Sequence, residues 1–334
     1  MRPFIWLAWA LLSAGYTFAQ GLVPVPSPQG AVLIGNAGVA VSPAVFAEAR
    51  PAVEGRAAVR DGAGWGFVGL SGSWVVQPRY DDVRDFRNGR AAVKRNGLWG
   101  YIDTDGREVI PPTYPEVRDF SEGFAAVRLP ASRSGLFGAR VRWAVLRRDG
   151  SRAHPATFFG AGLFQEGRMP VQVATGNFGL GRQWGYADST GTLVLAPRYS
   201  AARSFNHGVA LVQQGRTSSL VDASGNTVAP VDFPLFFVHA DGRARVSDGR
   251  LWGFLDRRGQ MAIPLRFAQA FDFSEGLAAV SEDGQRWGYI DPSGTWAIPP
   301  QFTRVSPFRG GLARVTLDGR VAVIDPAGRV LFSR

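Results

Sequence analysis

The stretch RWGYIDPSGTWAIPPQFTRVSPFRGGLARV, Arg286 to Val315, decides the fold, because a close relative of it recurs from near the start of the chain to its end. Aligned on the Trp-Gly pair, copies begin at Ala31, Trp65, Trp99, Trp143, Trp184, Ser218, Trp252 and Trp287, with a truncated copy at Val321. Self-similarity at one period marks a repeat architecture, in which a unit buries its apolar face only against its neighbours.

Every copy carries Gly seven residues after its start, from Gly38 and Gly72 to Gly294 and Gly328. Apolar pairs run into this point (Tyr289, Ile290) and out of it (Ala297, Ile298), which predicts a tight hairpin with the glycine at positive φ. Asp opens the turn at Asp103, Asp188, Asp222, Asp256, Asp291 and Asp325, where its carboxylate can accept backbone N–H groups. One carboxylate per turn is far short of the six or more oxygens that calcium takes, so no metal site is expected.

The second half of the unit has its own fixed points. An aromatic residue stands 21 residues after the start at Phe86, Phe120, Phe164, Phe205, Phe273 and Phe308, with Ala52 and His239 as departures. A Gly follows at 24 and a Val at 28 in all complete units, as in Gly276 and Val280. The reading is four short strands per unit, of the pattern Val-x-x-Phe, Leu-Ala-x-Val, Trp-Gly-Tyr-Ile and x-x-Ile-Pro, in an all-β meander. Length varies only after the Val. The two long links, Val127 to Trp143 and Val171 to Trp184, occupy the same hairpin of successive units and are expected to project side by side.

Residues 1–19, MRPFIWLAWALLSAGYTFA, read as a signal peptide: one Arg, a short apolar run, then small residues that suit cleavage after Ala19. The expected location is therefore exported, periplasmic or secreted. Residues 20–30 read as a Pro-rich, extended lead-in, and 31–334 as one repeat domain. Cysteine is absent, which excludes disulfides, thiol nucleophiles and thiolate metal sites. The net charge is +10, and Lys94 is the only lysine among 37 basic residues. The charge is dispersed at turns and strand edges (Arg79, Arg198, Arg266) and forms no basic run, so a solvated surface is expected and a nucleic-acid partner is not.

WGYIDTDGREVIPPTY and WGFLDRRGQMAIPLRF, with FSEGLAAV, resemble the WG-repeat, or KWG-type, β-repeat of bacterial proteins. The resemblance covers nearly the whole chain after residues 1–19, and implies a repeat protein of a family many of whose members are exported, without implying a reaction. About eight compact four-stranded units suit a closed β-propeller, with an open β-hairpin solenoid as the alternative. Against closure stands one surplus hairpin, since the chain starts and ends on the same half-unit.

No catalytic motif occurs, and the three histidines, His154, His207 and His239, fall at different positions of their units. The functional expectation is a monomeric, non-catalytic binding or scaffold module without cofactor, recognising a protein, an anionic envelope polymer or a carbohydrate. The alternative is an exported propeller hydrolase or lyase with its site at the ring mouth. The repeated Trp residues read as core. His239, standing where other units have Phe, is the candidate mouth residue. The long hairpins carry GLFGAR and NFGLGR, with Leu136, Phe137, Phe178 and Leu180 as candidate apolar contacts and Arg140 and Arg182 as candidate anion contacts.

Overall fold

A computed structural model describes residues 21–130, 141–176, 181–233 and 243–334, and the backbone of 235–238. These residues form strands and turns throughout. Eight antiparallel sheets follow one another over residues 48–80, 82–114, 116–158, 160–199, 201–230, 235–267, 269–302 and 304–333, and form blades 1 to 8. They stand in a ring, the arrangement of an eight-bladed β-propeller, and not in an open solenoid. Blade 2 shows the plan: Asp82–Val83, Arg90–Arg95, Leu98–Asp103 and Glu108–Tyr114, in that order across the sheet. In blade 3 the outer place is held by isolated bridges, Trp143 to Phe158 and Leu146 to Arg152.

The segment expected as a lead-in is built into the ring. Leu22–Ser27 pairs with Gly30–Gly35, and Phe46 bridges back to Ala31. One face of this hairpin, Val23, Val25 and Ile34, packs on Leu312 and Val323 of blade 8. The other, Leu22, Leu33 and Phe46, packs on Ala57, Val59 and Val68 of blade 1. The surplus half-unit thus fills the seam between the last blade and the first. It does not dangle, because its strand is apolar on both faces.

The core lies between blades. Trp65, Phe67, Val76 and Tyr80 of blade 1 meet Val83, Phe86, Ala91, Val93 and Ile102 of blade 2, and the same offsets recur around the ring. Both faces of each middle strand are therefore buried, which is why Ala91-Ala92-Val93 and Tyr101-Ile102 are continuous apolar runs. Polar links join the blades as well. Glu54 accepts the N–H groups of Asn88 and Gly89 in the next blade at 2.7 and 2.9 Å, and Glu122 and Glu275 do the same for Glu166-Gly167 and Gly310-Gly311. Arg79, Arg198 and Arg266 are exposed, as expected, and also donate to the carbonyls of Gly106, Gly225 and Gly294 in the following blade.

Two glycine positions carry the geometry. The fourth strand is irregular where it passes the Trp-Gly pair, and a Cβ on Gly100 would lie 2.3 Å from the Ile110 carbonyl oxygen. The turn glycine has the expected left-handed backbone, with φ +75° at Gly259, and the opening Asp256 carboxylate accepts the N–H groups of Arg258 and Gln260 at 2.8 and 2.9 Å. A Cβ on Gly259 would also meet the Ala229 methyl of the preceding blade at 2.5 Å.

Gly259→Val is expected to lower unfolding stability by about 1–3 kcal/mol, since strain at positive φ and a clash between blades act together. Gly100→Ala is expected to cost a similar amount through backbone contact alone, and Asp256→Asn much less. Denaturant melts of the three variants check the order; stability unchanged in Gly259→Val would contradict the turn assignment.

Candidate functional site: the axial mouth

The first strand of each blade is an edge strand, and residues just after it in blades 8, 1 and 2 converge, with Arg309 and Arg50 both 3.9 Å from Asp85, which places this edge toward the ring axis. Its carbonyls on the side away from the sheet have no strand to pair with. The residue that follows this strand supplies the answer in blades 1 to 3. Arg50, Arg84 and Arg118 stack over Trp65, Trp99 and Trp143 of their own blades, with 4.5, 4.9 and 4.8 Å from guanidinium carbon to ring centroid. Each then donates to a carbonyl on the inner strand of the next blade: Val83 at 2.8 Å, Val117 at 3.0 Å and Ala161 at 3.4 Å. The tryptophan stripe is thus a packing surface for arginines at the ring's inner wall. Tyr101, Tyr186 and Tyr289 cap the adjacent carbonyls of Arg118, Arg203 and Ser306 with their hydroxyls. Burial raises the pKa of all three phenols, so they stay protonated as donors.

Two blades deliver a guanidinium to such a carbonyl from another strand, blade 6 with a tryptophan beneath it and blade 8, which has Val321 at that position, without one. Blade 6 uses Arg245, on its second strand, which stacks over Trp252 at 4.6 Å and donates to the Ala270 carbonyl. Desolvation lowers the pKa of this arginine, and Asp272, 2.7 Å from its Nε, opposes that effect. Arg314 of blade 8 likewise donates to Pro24 of the seam hairpin at 2.9 Å. In blade 7 a phenyl ring takes the place, with Phe271 5.2 Å from Trp287. Arg309 of blade 8 and Arg50 of blade 1 both come within 3.9 Å of the Asp85 carboxylate of blade 2, so charged groups from non-adjacent blades converge at the mouth.

The pattern breaks at blades 4 and 5. Blade 4 has Gly162 and Pro170 at the two positions that supply arginine elsewhere, and Trp184, half-buried like Trp252 and Trp287, has no ring or guanidinium stacked on it among the described residues. Blade 5 has the arginine, Arg203, but Ser218 where the tryptophan belongs. Arg203 is exposed and makes no side-chain hydrogen bond, ion pair or ring contact among the described residues. Trp184 and Arg203 line one open cavity of about 780 Å³, with Leu163, Pro170 and Leu211 as apolar wall and Arg118 on its rim. The volume is that of a small-molecule or side-chain site.

Of the candidates named from sequence, His239, Leu136, Phe137, Arg140, Phe178 and Leu180 lie outside the described residues. Arg182 is described: its guanidinium lies over Phe159 at 3.6 Å, where Arg142, at the base of the other long hairpin, also packs at 3.9 Å. The bases of the two long hairpins therefore meet. Sequence reading missed Trp184 with Arg203; the signal was present as the simultaneous loss of Arg from one unit and of Trp from the next. Among the described residues no group of three or more His, Asp or Glu is placed to hold a metal ion.

A family model described as "WG containing repeat" matches residues 65–99, 99–129, 184–216, 252–285 and 287–320. No curated protein matches the chain. Among solved structures, BamB from Moraxella catarrhalis is similar at 11% identity over 84% of this chain and 93% of that one, with a TM-score of 0.46. The eukaryotic initiation factor is similar at 11% identity over 95% of both chains, with a TM-score of 0.43. Hsv2p of Kluyveromyces lactis is similar at 13% identity over 63% and 74%, with a TM-score of 0.37. Likenesses this distant carry nothing about function.

Away from the mouth, His154 is the anomalous buried group. It stands where other units have Val76, Ile110, Leu195 or Ile263, under the turn of the next blade, so that a Cβ on Gly191 would meet its ring at 2.6 Å. Neither ring nitrogen makes a hydrogen bond of good geometry, although the Ala156 backbone lies near enough to favour the protonated ring weakly. Desolvation lowers its pKa, with Asp188 opposing and Arg147 assisting. The unfolded chain then binds this proton more readily than the folded one, so the stability it leaves intact at neutral pH is lost as pH falls below about 6.5. His154→Leu is expected to gain about 1 kcal/mol at pH 7 by removing a buried unsatisfied group. It should also flatten the decline in melting temperature between pH 7 and 5; a variant with the parent's slope would contradict this account.

Proposed function

The chain is a WG-repeat protein folded as an eight-bladed β-propeller, and from that premise we propose that it is an exported, non-catalytic binding module that recognises a protein segment at its axial mouth. One observation carries this reading: a guanidinium covers the tryptophan in blades 1, 2, 3 and 6 and a phenyl ring covers it in blade 7, whereas among the described residues no side chain is stacked on Trp184, which faces one cavity together with Arg203. A repeat maintained for packing alone gives no reason to leave an uncovered, half-buried indole beside a guanidinium that makes no side-chain contact among the described residues, whereas a binding site uses both. The leader over residues 1–19 supports export, and the polar, arginine-rich mouth supports a partner with anionic groups. The long hairpins, with Leu136, Phe137, Arg140, Phe178 and Leu180 beyond the base at Arg182, are a second contact region in this proposal.

Two measurements test it in a bacterial host that exports the full chain. Intact mass of the exported protein is expected to start at Gln20; retention of residues 1–19 would contradict the export reading. A photo-crosslinking side chain at Asn206, on the cavity wall, is expected to give a discrete protein adduct that the same side chain at exposed Met261 of blade 6 does not. Equal labelling from both positions, or none from Asn206, would overturn the mouth as the binding face.

A further inference from the structure

The ring contains its own template for what the open place accepts. In blades 1, 2, 3 and 6 a tryptophan is covered by a guanidinium that also donates to the inner-strand carbonyl of the following blade. In blade 4 the tryptophan is Trp184 and the equivalent carbonyl belongs to Ala202, which lines the same cavity and receives no donor from the described residues. What is missing there is a guanidinium.

The resident guanidinium groups also have carboxylates near them. Arg84 lies 3.3 Å from Asp119, Arg118 3.2 Å from Glu116 and Arg245 2.7 Å from Asp272. The open place has no acidic residue in its wall; it has Arg203 instead, with Arg118 on the rim. A bare cation would meet only like charge, which is unfavourable in a partly enclosed site. A ligand that brings its own carboxylate removes the difficulty, because Arg203 has neither a tryptophan nor an ion-pair partner and can take it.

We propose that this cavity binds an arginine that carries a carboxylate, with the guanidinium stacked on Trp184 and donating to the Ala202 carbonyl, and the carboxylate paired to Arg203. Free arginine and the carboxyl-terminal arginine of a peptide share this chemistry. The inference rests on the mouth being the binding face, and adds the identity of the recognised group.

Pro170→Arg is the decisive variant, since it supplies the guanidinium from the strand position that Arg245 and Arg314 use in blades 6 and 8. Gly162→Arg with Pro170→Ala is the second route: it rebuilds the Arg-Ala combination of blades 1 to 3 and removes the Pro170 ring, which a Cβ on Gly162 would meet at 2.6 Å. Calorimetric titration of the full exported chain with L-arginine, the tripeptide Gly-Gly-Arg, its carboxyl amide and agmatine reads the outcome. L-arginine or Gly-Gly-Arg is expected to bind, with the amide and agmatine weaker by about tenfold or more, the size expected for loss of a charge-assisted pair. Whichever of the two acids binds better identifies the source as free amino acid or chain terminus. Arg203→Ala is expected to abolish the difference between Gly-Gly-Arg and its amide, and Pro170→Arg to abolish binding of all four while melting no lower than the parent. Should Pro170→Arg fold poorly, the double variant and Trp184→Leu give the same reading. Undiminished binding in these filled or stripped variants, agmatine binding as well as arginine, or no arginine binding at all would overturn the proposal. An Asn206 crosslink that persists in Pro170→Arg would overturn it too while leaving the mouth as the binding face.

Discussion

A sheet that ends in an inner edge strand at the axis of a ring must satisfy the carbonyls that this strand turns away from its own blade, and the rest of this structure is arranged around that need. Another strand cannot do it, because the neighbouring blade presents a face and not an edge. The chain uses side chains from the preceding blade. A tyrosine hydroxyl takes one carbonyl and an arginine takes the next, as with Tyr101 to Arg118 and Arg84 to Val117. In blades 1, 2, 3 and 6 a tryptophan holds the guanidinium plane at the right depth, which makes the Trp-Arg stack there a geometric device more than a source of affinity.

That device explains why the tryptophan recurs and why a glycine follows it. The indole must lie flat on the inner wall, the strand carrying it must sit against an irregular fourth strand, and at Gly100 the approach leaves no space for a Cβ. It also explains how the repeat tolerates change. Arg245 and Arg314 enter from a different strand and reach the same kind of carbonyl, so function in the ring is conserved at the level of the group delivered and not of the position delivering it. Blades 4 and 5 depart from the rule in complementary ways, and the departures meet in space.

Much of this was legible in the sequence. The turn glycines, the capping aspartates from Asp103 to Asp325, the four-strand unit and the inward aromatics such as Phe86 and Phe308 are local patterns, each tied to φ, to a turn or to alternation along a strand. The Pro-rich start reads as a lead-in because Pro24 and Pro26 argue against a central strand; the strand there lies at the seam of the ring and pairs on one side only. Arg79, Arg198 and Arg266 are exposed, as their sequence positions imply, but their acceptors are backbone carbonyls of the next repeat, about 27 residues away, which no residue type announces.

The sequence by itself determined the repeat, its strands and its turns, since these depend on residues a few positions apart and on the period that relates one copy to the next. Closure into a ring, the use of the surplus hairpin as the seam, and the cavity at Trp184 were decided only by tertiary structure. Closure depends on small rotations accumulated over all the blades, and a vacancy becomes a site only when the missing group of one unit and the idle group of the next are brought to the same wall. Gly162 and Ser218 are unremarkable substitutions when read in their own units; they acquire meaning because the ring sets Trp184 and Arg203 around one space.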